Sequence, residues 1–426
     1  MTASHPTSAQ DTGACRADLI LVLNCGSSSI KFGLFDAGQS PLPRAPVWNG
    51  KVQDIGCPAP TYGETGMAPE PVELDAQHPY HAALAHICSR VAARLAGRRL
   101  CAVAHRVVHG GSKYFESVLV DAEVLADLKS YIPLAPLHQP FALDAIDVML
   151  RTYPGLPQIA CFDTAFHHTL PQVEQMLPLP YAAWERGLRR YGFHGLSYEY
   201  LSVALPERHG ERARQRVIAA HIGSGASLCA MHGLRSVATT MGFSALDGLM
   251  MGTRTGSLDP GAVIYLMQIE QLSLERVAQV LYRESGLLGV SGLSSEPRVL
   301  IAEQTRNDAV GERARAALDL YVRRIVREIG ALVAVLGGLD LLVFTAGVGE
   351  HSAEIRRRVC HDLSFLGIEL LDAANACNAH TISAPESRVV VAVEPTNEEW
   401  IAARHTLAVL AAQDASPGTQ AELRVG

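Results

Sequence analysis

Asn24-Cys25-Gly26-Ser27-Ser28-Ser29-Ile30-Lys31 joins two apolar runs through a short turn of small polar residues. Leu19 to Leu23 read as a buried strand, and beyond the turn Ile30, Phe32 and Leu34 alternate with Lys31 and Gly33. A period of two predicts a second strand doubling back on the first, so the segment is a hairpin and not the start of a helix. Backbone donors in such a turn can face a phosphate, yet this is no P-loop, in which a Lys-Ser/Thr pair opens a helix. Serine-rich hairpin turns are common, so one turn alone names no chemistry.

Two later segments add weight. Arg216 to Met231, RVIAAHIGSGASLCAM, repeats the pattern of apolar strand, Gly-Ser turn and apolar strand. Two such hairpins far apart predict related half-molecules facing one cleft. Leu341-Leu342-Val343-Phe344-Thr345-Ala346-Gly347-Val348-Gly349-Glu350-His351 predicts a strand and a glycine turn, followed by a helix over Ser352 to Arg358. That order lets backbone approach a nucleotide closely. The third glycine and the βαβ context of a dinucleotide fingerprint are missing, which argues against an NAD site.

At 426 residues the chain is long enough for two or three cores. With 19% charged residues and a net charge of −7, nothing invites nucleic acid or an anionic membrane. Nine scattered cysteines without a Cys-x-x-Cys pair fit a reducing compartment and no zinc knuckle. Residues 1–17 are polar, lack the apolar block of a secretory signal, and read as a disordered extension. Ile329 to Val348 is apolar, but Asp340 and Gly337-Gly338 make it a helix end followed by a buried strand, not a membrane span. Leu318, Tyr321, Val322, Ile325, Ile329, Leu332, Val333 and Leu336 supply the helical spacing that leads into it. The expected organisation is a first unit over 18–165, rejoined by a helix at 399–414, a second unit over 166–398, and a flexible tail at 415–426. Pro41 to Pro71, rich in Pro and Gly, read as a long excursion or flap.

Phosphoryl transfer needs cations and donors around the migrating group more than covalent chemistry. Arg106 follows the strand Leu100 to Ala104 beside Gly110-Gly111, and Arg254 lies between Gly252 and Gly256. Two arginines in glycine-rich turns can clamp a carboxylate and a phosphate, although solvated arginines are commoner. Asp163 ends an apolar strand, where it can serve catalysis or cap a helix; a metal shared with His167 lacks a third ligand at suitable spacing. His194, in Tyr191-Gly192-Phe193-His194-Gly195, has room to meet developing charge. Glu394-Pro395-Thr396-Asn397-Glu398-Glu399-Trp400 opens a helix whose carboxylates either hold magnesium through water or favour the helix dipole.

In order, the blocks NCGSSSIKF, AHRVVHGG, PLAPLHQP, FDTAFHHTLP, YGFHGLSYEY, HIGSGASL, MGFSALDGLMMGTRTGSLDPG, FTAGVGEHS and EPTNEEW resemble the acetate kinase (acetokinase) family over nearly the whole chain, from Leu19 to His405. The resemblance implies an α/β fold of two ribonuclease H-like domains, the actin-like ATPase fold, with an interdomain cleft. It implies reversible transfer of the ATP γ-phosphoryl to acetate, giving acetyl phosphate and ADP by direct in-line displacement. Mg²⁺, replaceable by Mn²⁺, would be held by Asn24 and Glu398, with Lys31 contacting ATP. Arg106 and Arg254 would be the clamp, Asp163 the active-site carboxylate and His194 the transition-state donor. His221, Ile222, Gly223, Ser224 and Gly225 match a phosphate turn, and Gly347, Val348, Gly349, Glu350 and His351 a nucleotide turn. Val108, Leu137, Phe193 and Ala245 would line the acyl pocket, and Glu296-Pro297-Arg298 would lie near the adenosine. A cytoplasmic homodimer in acetyl-CoA biosynthesis, without nucleic-acid or membrane partners, is also implied.

The chain departs from the family pattern at Ser224, where Asn is usual, at Ala245, where Pro is usual, at Glu296 to Arg298, where Asp-x-Arg is usual, and at His351, where Asn is usual. Ala245 admits a somewhat larger acid, while Val108 argues for acetate, since propionate kinases tend to carry a smaller residue there. One methylene shifts such a preference by only about 1 to 3 kcal/mol. A propionate or short-chain acyl kinase is therefore the sister alternative, and a noncatalytic ATP switch like Hsp70 or actin the rival from another class. A metal hydrolase using His and Asp is more distant.

Overall fold

The computed structural model describes residues 18–415, apart from residues 27, 136 and 137 and the side chain of Asp414. The extension at 1–17, Leu137 and the tail beyond Ala415 lie outside the described residues. The first sheet holds β1 (Asp18–Cys25), β2 (Ser29–Asp36), β3 (Trp48–Gln53), β4 (Thr61–Glu64), β5 (Glu70–Pro71), β6 (Arg99–Val107), β7 (Val118–Leu119) and β8 (Gln158–Phe162). Across it the order is β5-β4-β3-β2-β1-β6-β8-β7. Strand β1 doubles back on β2, with Asn24 opposite Lys31, and also runs parallel to β6, which in turn runs parallel to β8. Leu19 to Leu23 are all buried, as a central strand covered on both faces requires.

The second sheet holds β9 (Val217–Ile222), β10 (Ala226–His232), β11 (Arg235–Thr239), β12 (Leu341–Thr345) and β13 (Val390–Val393), in the order β11-β10-β9-β12-β13. Its opening hairpin pairs Ile222 with Ala226, and β9 runs parallel to β12 just as β1 runs parallel to β6. Both sheets are mixed and flanked by helices, which makes this an α/β fold. The helix Ala309–Leu336 starts at Asp308, whose carboxylate accepts the Val310 and Gly311 N–H groups, and stops at Gly337 with φ 69°. Strand β12, fully buried, follows it. Among the described residues no helix is long and apolar enough to cross a membrane.

Two expectations need correction. Pro41 to Pro71 is not a flap: it supplies β3, β4 and β5, the outer edge of the first sheet. Its prolines and glycines separate short strands. The Glu64 carboxylate fastens them, accepting from Trp48 Nε1, Tyr62 OH, Arg90 and Arg94. Gly347 to Gly349 form no open turn either; they lie within a short helix, Ala346–His351, set directly on β12 and followed by the helix Ala353–Asp362. Glu350 reaches back to accept the Ala346 N–H at 2.8 Å, capping the short helix from within.

Helices Gly195–His209 and Glu398–Asp414 fill the space between the sheets. Leu196, Tyr198, Leu201, Ile401 and Ala402 share one core with Ile20 and Ala102 of the first sheet and with Ala219 and Val343 of the second. Each large apolar side chain buried there stabilises the fold by roughly 1.5–3 kcal/mol. The carboxyl ends of β1, β6, β8, β9 and β12 therefore open onto one hollow, the usual place for a site in α/β sheets.

Candidate active site

The hollow is a cavity of about 640 Å³. Parallel pairing sets its first wall. Arg106 lies opposite Cys161 in the register of β6 and β8, and Asp163 follows one residue past the end of β8. Arg106 grips the Asp163 carboxylate through Nε at 3.0–3.1 Å and Nη2 at 2.6 Å, and Nη1 donates to Asn24 Oδ1 at 3.2 Å. Glu398 Oε2 lies 3.7 Å from Arg106 Nε. One guanidinium thus serves two carboxylates. Burial pushes Asp163 up to about 6 against the pull of Arg106, and the charge of Glu398 adds to the rise. Burial acts the same way on Glu398, but Arg106, His221 and Lys31 outweigh it and hold Glu398 below the ordinary range. Arg106 itself is held above the ordinary range because these two anions overcome its burial.

Arg254 stands on the opposite wall with different partners. Nη1 donates to the Ala245 carbonyl at 3.0 Å and Nη2 to His138 Nε2 at 3.1 Å. Among the described residues no carboxylate forms an ion pair with it. Burial lowers its pKa, as expected of a cation without a counterion. Desolvation, then the charges of Arg254 and Arg106, pushes the half-buried His138 down to about 3, so it stays neutral.

His194 occupies the left-handed region, φ 59°, immediately before the helix Gly195–His209. Gly195 is required there because its backbone presses against the Asp163 carbonyl, which accepts the Gly195 N–H at 2.7 Å. The His194 ring stacks on His221 with centroids 4.0 Å apart. Burial, followed by the neighbouring His221 and the two arginines, drives the His194 pKa well down. Ser227 Oγ bridges His194 Nδ1 at 2.8 Å and the Tyr198 hydroxyl at 2.6 Å. If Tyr198 donates to Ser227 and Ser227 to Nδ1, the imidazole proton sits on Nε2. A Cβ built on Gly225 would lie 3.3 Å from His194 Nε2 and 3.7 Å from Arg254 Nη1. The absent side chain leaves the turn of the β9–β10 hairpin open to both donors.

Asn24, Lys31, Arg106, Val108, Asp163, Phe193, His194, His221, Gly223, Ser224, Gly225, Ala245, Arg254, Gly347, Glu350 and Glu398 all line this cavity. Leu137 lies outside the described residues. Ile222 is buried in β9, and Val348, Gly349 and the exposed His351 turn away from the lining. Glu296, Pro297 and Arg298, at the start of the helix Pro297–Glu303, also lie off it. The Glu350 carboxylate is already engaged by the N–H groups of Ala346 and Thr396, so it braces the wall and offers a ligand little. Sequence reasoning passed over His138, Met241, Thr396, Asn397 and Glu399 as lining residues. Each stood in a quoted block, but nothing in residue type told a lining side chain from its neighbours.

No group of three or more His, Cys, Asp and Glu side chains among the described residues is arranged to hold a metal. Asn24 and Glu398 nevertheless offer hard oxygen donors in the cavity wall, the set that suits a Mg²⁺ ion taking its remaining ligands from water and phosphate. The buried Thr396 hydroxyl oxygen has no partner, consistent with a ligand along this rim.

The Acetokinase family model matches residues 19–404. An acetate kinase of Rhodopseudomonas palustris is 47% identical over 395 residues, covering 91% of this chain and 98% of that protein. One from Nitrobacter hamburgensis is 46% identical over 404 residues, covering 92% and 96%. Among solved structures, the acetate kinase of Porphyromonas gingivalis superposes with a TM-score of 0.81 at 37% identity, covering 92% of this chain and all of that one. A propionate kinase from Francisella tularensis gives 0.82 at 32% identity, covering 91% and 98%. A match of this length, carried by both sequence and fold, shows that the chain belongs to the acetokinase family.

Proposed function

We propose that the protein transfers the γ-phosphoryl group of ATP to acetate, reversibly and directly, giving acetyl phosphate and ADP. The observation that carries this reading is the unequal pair of arginines in one cavity: Arg106 neutralised by Asp163, and Arg254 half-buried without an anion. A carboxylate is already a nucleophile at neutral pH, so no strong base is needed; the obstacle is repulsion between two anions. Arg254 supplies the free positive charge that draws them together. Val108, Phe193, Met241 and Ala245 give the acceptor's methyl group an apolar seat. The carboxylate oxygen attacks the γ-phosphorus as the bond to the β-phosphate oxygen breaks, and the bonding electrons leave with ADP. Arg254 and the His194 Nε2–H donate to the equatorial oxygens of the migrating group, where charge accumulates. Asp163 orients Arg106. Asn24 and Glu398 would hold Mg²⁺, or Mn²⁺ in its place, which when bound screens the negative charge of the nucleotide phosphates. Lys31, His221 and Gly223 to Gly225 are assigned to the phosphates, and Gly347 to the nucleotide.

Purified protein incubated with ATP, Mg²⁺ and acetate should yield acetyl phosphate, trapped as the hydroxamate; absence of product would end this reading. Ala245 favours some use of propionate as well, which relative kcat/KM across acids of increasing length will measure.

We also take the two sheets as two ribonuclease H-like lobes, 18–165 with 399–414 and 166–398; packing of the helix Glu398–Asp414 on β1, β2, β6 and β8 supports that division. A cytoplasmic homodimer is proposed too. The helix Pro260–Gln268 buries none of its side chains and exposes Ile264, Tyr265 and Met267, an apolar face suited to a second copy.

A further inference from the structure

Behind the acyl wall lies a second, smaller cavity of about 250 Å³. Arg189, Arg190, His168, Ser112 and Thr164 contribute polar groups to it, and no carboxylate lines it. Most of its polar neighbours are already committed. His167 bonds through both ring nitrogens to Ser236 and the Phe193 carbonyl, and Gln175 donates to the Leu170 carbonyl. Arg190 Nη1 donates to the carbonyls of Thr239, Thr240 and Met241 and lies 3.7 Å from Asp247.

Arg189 is the exception. Its guanidinium lies 4.0 Å over the Trp184 ring, it forms no ion pair among the described residues, and its buried Nε has no acceptor. A cation without an anion and a donor without an acceptor, in a cavity with no carboxylate, are what a bound oxyanion would satisfy. Stacking on Trp184 holds the planar fork still, the preorganisation that favours bidentate contact with a phosphate. His168 uses Nδ1 on the Ala165 carbonyl, leaving Nε2 for a ligand.

We propose that this cavity binds a tetrahedral oxyanion of orthophosphate size, with Arg189 as its principal ligand. The site is separate from the cavity that holds Arg106 and Arg254, and the two cavities share no lining residue. It is nonetheless connected to it. The Gly111 N–H donates to His109 Nδ1 at 2.8 Å, and the His109 ring lies 4.4 Å from that of Tyr191 and 5.6 Å from that of Phe193. Phe193 and Met241 line the larger cavity.

Trp184 is one of three tryptophans and reports directly on Arg189. Inorganic phosphate is titrated into the full chain while tryptophan fluorescence is followed, in parallel with Trp184→Phe, Arg189→Gln, Arg189→Lys and Arg254→Gln variants. A second arm uses glycerol phosphate, to distinguish free phosphate from an organic phosphate ester. The proposal requires a saturable change in the unmodified protein and in Arg254→Gln, its loss in Trp184→Phe, and binding about tenfold weaker or more in Arg189→Gln. Arg189→Lys, which keeps the charge but not the fork, should fall between. A change that is absent or non-saturating, or that survives Arg189→Gln, overturns the proposal. So does one that disappears in Arg254→Gln, since the anion would then sit in the larger cavity.

Discussion

Replacing Arg106 and Arg254 separately by methionine should abolish activity alike but affect stability very differently. Arg106→Met removes the cation between Asp163 and Glu398, whose side chains are only 2% and 15% exposed. Breaking a buried ion pair by deleting one partner costs about 3–5 kcal/mol. The protein can retreat by protonating Asp163, which burial already holds near 6, so the penalty shrinks as pH falls towards that value. Arg254→Met loses two bonds to nitrogen and oxygen acceptors, about 1 kcal/mol each, and a weaker one to Met251 Sδ, but also removes a half-buried charge that no anion offsets. Its net effect should lie within about 1 kcal/mol of zero or favour the variant. The two variants should therefore differ by about 3 kcal/mol in urea unfolding at pH 8 and by less at pH 5.5. In the hydroxamate assay both should lose about 10³-fold or more. Equal destabilisation of the two variants, or Arg254→Met as the weaker of the pair, would refute the assignment of Arg254 as the uncompensated charge.

Further outcomes are expected elsewhere. Val108→Ala should raise the propionate to acetate ratio of kcat/KM about tenfold, measured in parallel assays, because it removes apolar wall from the acceptor's seat. Glu398→Gln should raise the Mg²⁺ concentration needed for half-maximal activity about tenfold, read by metal titration, with little change in fold. Arg356 is fully buried and donates to the carbonyls of Gly349 and Glu350, to both Asn375 oxygens and to Asn378 Oδ1, so it secures the helix Ala346–His351. Arg356→Met should cost about 2–3 kcal/mol and raise the KM for ATP while leaving that for acetate unchanged. His405 bonds to Glu199 through Nε2 at 2.7 Å; burial opposes its charge, but hydrogen bonds and Glu199 lift its pKa from 6.5 to about 10. The stabilisation it gives, at most about 5 kcal/mol, is complete below pH about 6.5 and lost as pH rises through about 10. Glu199→Gln should flatten that decline in a pH series of unfolding curves.

Local pattern along the chain determined the two hairpins, the long helix stopped by Gly337-Gly338, the buried strand β12 and the residue types gathered for phosphate chemistry. A period of two, a helical period and a glycine that tolerates a positive φ are properties of neighbouring residues, so they can be read in order. Tertiary structure decided the rest. Pro41 to Pro71 joined the first sheet because Glu64 gathers donors from Trp48, Tyr62, Arg90 and Arg94, which lie apart in the chain. Arg106 and Arg254 look alike in sequence. Only the parallel register of β6 and β8, which sets Asp163 against Arg106, leaves one arginine neutralised and the other without an anion. Glu350 and His351 look available in sequence, but the short helix turns one inward as a cap and the other out to solvent. Charge compensation and direction depend on what lies across a gap in space, and that distance is set by packing between segments that are separate along the chain.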